Sequence, residues 1–364
     1  MKIDYVCFTA HHGYAAAAKD YIKALIQGGY DVKISPLDLG FPKKFHPEDF
    51  KMLNALVEKP FNSNRVQIFH CIPDMQRRFR NKKCGRTIGI ATFETADPPK
   101  PWIKILNMNT AVFVPSRFLF EVFRDAGIEK PLFYVPHGLD LKVYRPDEHS
   151  EVTCQPVFKF MFFGSWKKRK GGSELVQAYL SEFGSSDEVE LIISGDQGGS
   201  IQADIKKLKK SFSGKKLPKI SIEERIIPGK DVPMHLKRAD CLVSPTMGEG
   251  FGLPGLQAMA CGVPIIITGW SGCTEYATEK TATLLAPGKF VEIDFLDGIP
   301  QFRHKKWAYV SPEQIAEKMR YAYEHREEIR SKAKVGLEHV RANFSYDKVL
   351  EKMEEAFRKL ELTK

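Results

Sequence analysis

The chain has 364 residues, of which 43% are hydrophobic and 27% charged, and its formal net charge at pH 7 is +10. This length exceeds that of one typical domain core, so we expect two domains. No apolar run reaches the roughly 18 residues of a membrane span, and a strand-like segment starts at once, which predicts neither a spanning helix nor a signal peptide. The excess positive charge suits a partner that carries phosphate, whether a nucleotide, an anionic lipid or a nucleic acid.

The seven cysteines are scattered along the chain and form no C-x-x-C pair. Most lie in apolar, strand-like runs, where a free thiol behaves as a small hydrophobic group. The pattern therefore predicts neither a zinc site nor a disulfide framework, and it favours a reducing, cytoplasmic location.

The first third of the chain alternates strand-like and helix-like stretches. An apolar run, a segment with helical spacing that ends at two glycines and a second strand-like run form a βαβ unit. The strand-like runs are Lys2–Phe8, Tyr30–Ser35, Val66–His70, Thr87–Phe93, Ala111–Pro115 and Leu132–Pro136, and the first helix is Tyr14–Gln27. This alternation predicts a parallel sheet with helical crossovers.

The polar, proline-containing stretch that follows Asp140 and runs to about Gln155 is interpreted as a linker, because a second alternating series follows it. The strand-like runs of that series are Val157–Phe163, Val189–Ser194, Cys241–Pro245, Pro264–Thr268 and Thr281–Ala286. Residues 288–306 lack a clear period and are interpreted as an irregular insertion. Val349, Met353, Ala356, Phe357 and Leu360 are spaced by three and four, which predicts an amphipathic helix over Ser345–Leu360.

Two Rossmann-like, doubly wound parallel-sheet domains are therefore expected, the first over residues 1–148 and the second over 149–344. Two such units of similar size imply a cleft, and ligands of these folds bind at the carboxyl ends of the strands. Candidate site residues are accordingly sought where predicted strands end.

The first domain offers several such positions. Gly13 precedes the first helix, where backbone N–H groups could meet a diphosphate, although a tight turn explains such a glycine equally well. His12, His70 and His137 follow predicted strands and could line the cleft. For His70 and His137 the cleft and a structural role are equally good explanations.

Glu94 follows a very apolar run and should emerge at the carboxyl end of its strand. A carboxylate at that place can orient a hydroxyl group or accept a proton. The alternative is a cap for the helix near Trp102, and Asp97 fits that cap better.

In the second domain, the loop Gly164–Gly172 carries three lysines and an arginine. Such cations can neutralise a diphosphate leaving group without any metal. Lys170, which Gly171 follows, is the strongest candidate, with Ser165 and Arg169 in the same loop.

The most informative segment is Glu249–Pro264. It places the carboxylate of Glu249 on a glycine-rich turn that enters a predicted helix over Pro254–Ala260, which carries Gln257. The turn itself consists of Gly250, Phe251, Gly252 and Leu253. Glu249 and Gln257 could therefore face one ligand with two clusters of hydroxyl groups, although a loop-to-helix junction explains the glycines alone.

Together these residues resemble retaining glycosyltransferases of the GT-B fold, specifically the large family 4. The resemblance covers nearly the whole chain and is strongest over Pro245–Thr268. Val114–Ser116, Val135–Asp140, Lys170–Gly171 and the closing helix also match. The resemblance implies that the last helix, 345–364, returns to pack on the first domain.

The resemblance also implies roles for individual residues. Glu249 would hold hydroxyl groups of the donor sugar, and the backbone of residues 251–253 would face the sugar and the diphosphate. Lys170 would bind the diphosphate, and Gly13 would lie in the loop that closes over it. No metal and no cofactor are expected, and a nucleoside diphosphate sugar is the co-substrate.

Three positions depart from the family pattern. Gln257 replaces a second glutamate that accepts hydrogen bonds from the ribose hydroxyls, and an amide accepts them without charge assistance. Ser165 stands where an arginine is usual, which removes one contact with the diphosphate. Arg169 or Lys168 could replace that contact. Glu94 stands where a histidine is common at the reacting centre.

The sequence thus predicts a hexosyltransferase that moves a sugar from a nucleoside diphosphate sugar to a hydroxyl group of a glycan, lipid or protein. Two alternatives are a nucleotide-sugar-binding protein with little catalysis and a GT-B enzyme that modifies nucleic acid, the second being disfavoured. Peripheral contact with an anionic membrane through Arg77–Lys83 is open, as is the oligomeric state.

Overall fold

The computed structural model describes residues 1–9, 13–38, 47–61, 64–147, 157–195, 201–293 and 299–362. The chain divides into two compact units. The first contains Met1–Asp140, Pro228–Lys230 and Ala342–Lys364, and the second contains Leu141–Ile227 and Asp231–Arg341. The sequence placed this boundary at residue 148; in the structure the first unit ends earlier, where Leu139 N donates a hydrogen bond of 2.9 Å to Phe344 O.

The first unit is built on a six-stranded parallel sheet with the order β2-β1-β3-β4-β5-β6. Its strands are β1 (Lys2–Cys7), β2 (Asp31–Pro36), β3 (Val66–His70), β4 (Arg86–Ile90), β5 (Ala111–Val114) and β6 (Leu132–Tyr134). The intervening helices are α1 (Gly13–Gln27), α2 (Pro47–Glu58), α3 (Pro73–Phe79), α4 (Lys100–Leu106) and α5 (Arg117–Asp125). All six predicted strands of this unit are present. The central strands β1, β3, β4 and β5 are buried along almost their whole length and are the apolar runs expected of strands covered on both faces.

The second unit repeats the architecture with the order β12-β11-β10-β7-β8-β9. Its parallel strands are β7 (Phe158–Phe163), β8 (Val189–Gly195), β9 (Lys219–Glu224), β10 (Cys241–Ser244), β11 (Ile265–Thr268) and β12 (Thr283–Leu285). Its helices are α6 (Gly172–Glu182), α7 (Ile201–Lys210), α8 (Val232–Leu236), α9 (Leu253–Ala260), α10 (Pro312–Glu324) and α11 (Arg326–Asn343). The prediction of two doubly wound parallel-sheet units is confirmed.

Three local predictions need correction. Strand β9 is absent from the predicted series, because it lies at the sheet edge with only partly buried residues and has no apolar run. The segment interpreted as an irregular insertion is bounded by an antiparallel hairpin, β13 (Lys289–Glu292) and β14 (Lys306–Tyr309). Helix α4 has Pro99 at its N-cap, without a side-chain cap, so Asp97 is not the capping residue.

The C-terminal helix α12 (Tyr346–Lys359) belongs to the first unit, as the sequence predicts. Ser345 caps its N-terminus by accepting a hydrogen bond from Lys348 N. The five apolar residues predicted to share one face are all buried, and Phe357 is 1% exposed within the core of the first unit. Its ring lies 5.6 Å from that of Tyr30, measured between centroids.

The six cysteines within the described ranges carry free thiols in buried positions. None of the helices in the described part of the chain combines the length and the apolar composition needed to cross a bilayer.

The burial of Phe357 predicts a large effect on the stability of the first unit. Phe357→Ala should lower the free energy of unfolding by about 3–5 kcal/mol, because it removes a buried ring and leaves a cavity. Urea denaturation followed by circular dichroism would measure the change. Lys352→Ala, at an exposed position of the same helix, is the matched control and should change the free energy by less than about 0.5 kcal/mol. Equal losses for both variants would contradict the packing role of α12.

Candidate active site

The candidate site of the second unit lies where the order of the strands reverses. From β7 the chain adds β8 and β9 on one side of the sheet, and it then returns to add β10, β11 and β12 on the other. The loops that follow β7 and β10 diverge at such a reversal and leave a crevice, where ligands of open parallel sheets bind. The loops after β7, β10 and β11 carry the residues described below.

Glu249, in the loop after β10, is the centre of this site and is 8% exposed. Its Oε1 contacts Lys170 Nζ and accepts a hydrogen bond of 3.0 Å from Thr246 Oγ1. Its Oε2 lies 3.3 Å from Arg169 Nη1, and its backbone N donates to Ser271 Oγ at 2.9 Å. Three loops therefore converge on one residue, Glu249.

The ionisation of Glu249 follows from these contacts. Burial raises the pKa of its carboxyl group, since a charge is costly away from water, but the charges of Lys170 and Arg169 outweigh that effect. The net shift of the pKa is downward, so Glu249 is an anion at neutral pH. An anion and two cations thus lie together at the switch point.

Backbone contacts hold the loops at fixed distances from one another. Met247 N donates to Arg169 O at 2.7 Å, and Gly272 N donates to Glu249 O at 2.9 Å. A Cβ atom on Gly272 would lie 2.2 Å from Gly250 O, so only glycine allows this approach. The position of the carboxylate is set by main-chain packing as well as by its charge.

Two further glycines have left-handed backbone conformations at this site. Gly171 has φ of +70°, and a Cβ atom there would lie 2.2 Å from Pro245 O. Gly252, at the N-cap of α9, has φ of +87°, and a Cβ atom would lie 2.7 Å from Tyr276 Oη. A side chain fits at neither position. At residue 252, just before α9, the chain therefore has backbone atoms only.

Apart from Gly13, the other residues predicted to bind the donor lie in the second unit. Phe251 is 3% exposed and its ring packs against Tyr276, so its side chain is not available to a ligand. Gln257 lies on α9, and its Nε2 donates to Tyr144 Oη at 3.1 Å. Ser165 is half-buried in the loop after β7, while Leu253 is the first residue of α9.

In the first unit the structure brings His70 and His137 together. Their rings are nearly parallel, with centroids 5.8 Å apart, and both residues are buried. His70 Nδ1 lies 2.8 Å from Tyr5 Oη, and burial lowers the pKa of His137 to about 3, which keeps its imidazole neutral at neutral pH. Tyr21 packs beside both rings.

The remaining predicted residues of the first unit lie at the ends of its strands. Glu94 is half-buried and comes four residues after Ile90, the last residue of β4, so it lies in a loop and not on the strand. Gly13 opens α1, and a Cβ atom there would meet nothing within 4 Å, so no steric demand requires glycine. His12 lies outside the described residues. Within the described ranges, no group of three or more histidine, cysteine or carboxylate side chains is placed to hold a metal ion.

Sequence reasoning missed Thr246 and Ser271 as partners of Glu249. Both follow strands, β10 and β11, and a search of every residue within three positions of a strand end would have included them. The contact of Ser271 with Glu249 depends on the adjacency of β10 and β11, which the sequence does not show, whereas Thr246 is only three residues from Glu249 in the same loop.

Comparison with protein families gives a match in the second half of the chain. Residues 157–301 match the family model described as Glycosyl transferases group 1. This segment begins next to β7 and includes the loops that carry Lys170 and Glu249.

Two curated relatives are similar to this chain over less than half of its length. A lipopolysaccharide core biosynthesis mannosyltransferase of Rhizobium meliloti is 27% identical over 173 residues, which are 44% of this chain and 48% of the relative. A D-inositol 3-phosphate glycosyltransferase of an Arthrobacter strain is 28% identical over 160 residues, 42% of this chain and 37% of the relative. The matches thus span less than half of these relatives.

Solved structures match the full architecture at low sequence identity. A sucrose-phosphate synthase from Thermosynechococcus elongatus has a TM-score of 0.70 at 16% identity and covers 99% of both chains. The Anabaena protein HepE, solved with UDP and glucose, has a TM-score of 0.68 at 14% identity over 99% of this chain and 100% of its own. The fold is therefore the GT-B fold.

The left-handed conformation of Gly171 gives a test of how tightly the Lys170 loop is held. Gly214→Ala, with φ of +94° and no neighbour within 4 Å, should cost about 1–2 kcal/mol of stability through backbone strain alone. Gly171→Ala adds a clash with Pro245 O and should cost at least about 1 kcal/mol more. Thermal unfolding of the two variants measures the difference, and equal losses would contradict the close approach of the two loops.

The lowered pKa of Glu249 predicts a pH-dependent contribution to stability. The charged carboxylate stabilises the folded state above the ordinary carboxyl pKa of 4.5, and this contribution is lost as the pH falls through the lower folded value. The difference in free energy of unfolding between wild type and Glu249→Gln should therefore be constant near neutral pH and shrink below pH 4.5. Urea titrations across this range would measure it.

Glu279→Gln, which changes an exposed carboxylate of the same unit, is the matched control and should alter the unfolding free energy little at any pH. A difference for Glu249→Gln that stays constant down to the acid limit would show that its carboxylate is not stabilised by Lys170 and Arg169.

Proposed function

We propose that this protein is a glycosyltransferase that moves a hexose from a nucleoside diphosphate sugar to a hydroxyl group of an acceptor. The observation that carries the proposal is the cluster of Glu249, Lys170 and Arg169 at the switch point of the second sheet. The match of residues 157–301 to the Glycosyl transferases group 1 model and the GT-B fold support it.

The cluster provides the two kinds of group that such a donor requires. The Glu249 carboxylate accepts hydrogen bonds from sugar hydroxyl groups, and Lys170 and Arg169 bind the negatively charged diphosphate. The N-terminus of α9, preceded by Gly252, adds backbone N–H groups for the same anion. A nucleoside diphosphate sugar thus offers hydroxyl groups to the carboxylate and a diphosphate to the two cations.

The proposed reaction retains the configuration of the anomeric carbon and needs no protein nucleophile. The leaving diphosphate lies beside the incoming hydroxyl group and takes its proton as the new glycosidic bond forms. Lys170, Arg169 and the helix N-terminus stabilise the charge that develops on the diphosphate, which is the task a divalent cation performs in other transferases. The proposal is therefore of a metal-independent enzyme.

The first unit is proposed to supply the acceptor side. Glu94, half-buried in the loop after β4, is its candidate for orienting a reacting hydroxyl group. Gly13 at the start of α1 is its candidate for a backbone contact with the diphosphate.

A nucleotide-sugar-binding protein with little catalysis is the second candidate. Gln257 favours it, because its amide group donates to Tyr144 Oη and accepts hydrogen bonds without charge assistance. This candidate requires donor binding without turnover, so the two functions differ in the rate at which the bound donor is turned over.

Turnover of a panel of UDP-, GDP- and ADP-sugars in excess chelator tests the proposal. At least one donor should be hydrolysed slowly or transferred, and Glu249→Gln should lower that rate by about 100-fold or more, since the loss of a charge-assisted contact at the reacting centre costs several kcal/mol. Glu279→Gln is the matched control and should leave the rate unchanged.

Activity that is lost in chelator and restored by magnesium or manganese would refute metal independence. A donor that raises the melting temperature without turnover in any condition would identify the binding protein instead. An inverted anomeric configuration of the product, determined by NMR, would refute the retaining mechanism.

A further inference from the structure

The cations Arg169 and Lys170 lie in a short turn that has no buried side chain of its own. The turn contains the 3₁₀ segment Lys168–Lys170, and none of these three residues is buried. One contact holds its tip, where Arg169 O accepts a hydrogen bond of 2.7 Å from Met247 N. Long cationic side chains lose much conformational entropy when they are held in one place, so the turn also needs a support at its base.

The indole of Trp166 provides this support. It is 6% exposed and packs in the hydrophobic core of the second unit, where it meets the ring of Phe162 edge to face with centroids 5.5 Å apart. It also lies against Gly172, the first residue of α6, since a Cβ atom on Gly172 would come within 2.3 Å of Trp166 Cζ3. Trp166 and Gly172 flank the turn over residues 167–171, so their contact closes the turn at its base.

A hydrogen bond from α7 fixes the orientation of the indole. Trp166 Nε1 donates to Asp204 Oδ2 at 2.9 Å, which satisfies the polar group of a buried tryptophan. Asp204 lies in the first turn of α7 and is exposed, whereas Ile201 and Ile205 beside it are buried in the same core as the indole. The backbone that carries Asp204 is thus anchored, and its carboxylate holds the ring from a fixed place.

We propose that Trp166, oriented by Asp204, is a positioning residue for the cations Arg169 and Lys170. The indole holds the base of their turn, so both cations are kept beside Glu249 before any ligand binds. The consequence for a diphosphate rests on the proposed function, because cations already held in place lose less conformational entropy when they bind it. The consequence for Glu249 does not, since its contact with the cations is a property of the protein alone.

Nucleotide binding tests the consequence for the diphosphate. Isothermal titration calorimetry with UDP, GDP and ADP identifies the nucleotide that the wild type prefers, and Asp204→Ala should weaken its binding by about twofold to tenfold, the effect of one lost hydrogen bond. Trp166→Phe should weaken it at least as much, because it lacks both the Nε1 donor and part of the ring. Asp204→Asn is the matched control: it also removes the charge, but its amide oxygen still accepts from the indole, so its affinity should stay close to that of the wild type.

A second measurement needs no ligand. Glu249→Gln changes the free energy of unfolding in the wild type, and in the Trp166→Phe background this change should fall by about half or more, because the cations are placed less firmly. Phe183→Leu, which alters a buried ring of the same core at the C-terminus of α6, is the matched control. It should lower the stability but leave the effect of Glu249→Gln unchanged. Urea denaturation at neutral pH measures all of these variants.

The two measurements distinguish a failure of the positioning role from a failure of the proposed function. If the wild type binds none of the three nucleotides while the effect of Glu249→Gln shrinks in Trp166→Phe, the positioning role stands and the donor site is refuted. If the effect of Glu249→Gln is the same in Trp166→Phe and in Phe183→Leu, the positioning role is overturned. The same holds if Asp204→Ala and Asp204→Asn bind a nucleotide with equal affinity.

Discussion

The structure of the second unit depends on keeping the Glu249 carboxylate charged in a buried place. Removing a carboxylate from water is costly, and the cost is offset only if cations and hydrogen-bond donors are fixed around it. Lys170 and Arg169 lie in the loop after β7 and contact the carboxylate. Ser271 lies in the loop after β11, and its Oγ accepts a hydrogen bond from Glu249 N. The contacts of the Glu249 carboxylate and of its backbone N thus connect three loops that are distant in sequence.

Strand order explains why these loops meet. Because β7, β10 and β11 are neighbours, their carboxyl ends lie at one edge of the sheet, and residues separated by about eighty positions come into contact. Periodicity and composition predict that strands exist but not which strands are adjacent. The motif around Glu249 and the cation Lys170 were therefore predictable as separate features, whereas their ion pair and the contact of Gly272 with Gly250 were not.

The elements found from sequence are those whose burial is simple. Strands covered on both faces are apolar runs, and α12 buries one continuous apolar face, so both produce clear patterns in the sequence. Strand β9 and the β13–β14 hairpin have mixed exposure, and their alternation is weak. Composition matters besides solvent exposure: the half-buried β6 consists of apolar residues and is predicted from the sequence, whereas β9 mixes apolar with charged residues and carries little periodic signal.

The return of α12 to the first unit affects the order in which the two units are completed during synthesis. Val349, Met353 and Phe357 belong to the same hydrophobic core as residues of β1 and α1, which are synthesised first. The whole second unit lies between these two parts of the chain. A ribosome-bound chain can therefore contain the whole second unit while the first unit still exposes the apolar surface that α12 covers. Of the two units, the first starts to be synthesised earlier but is completed later.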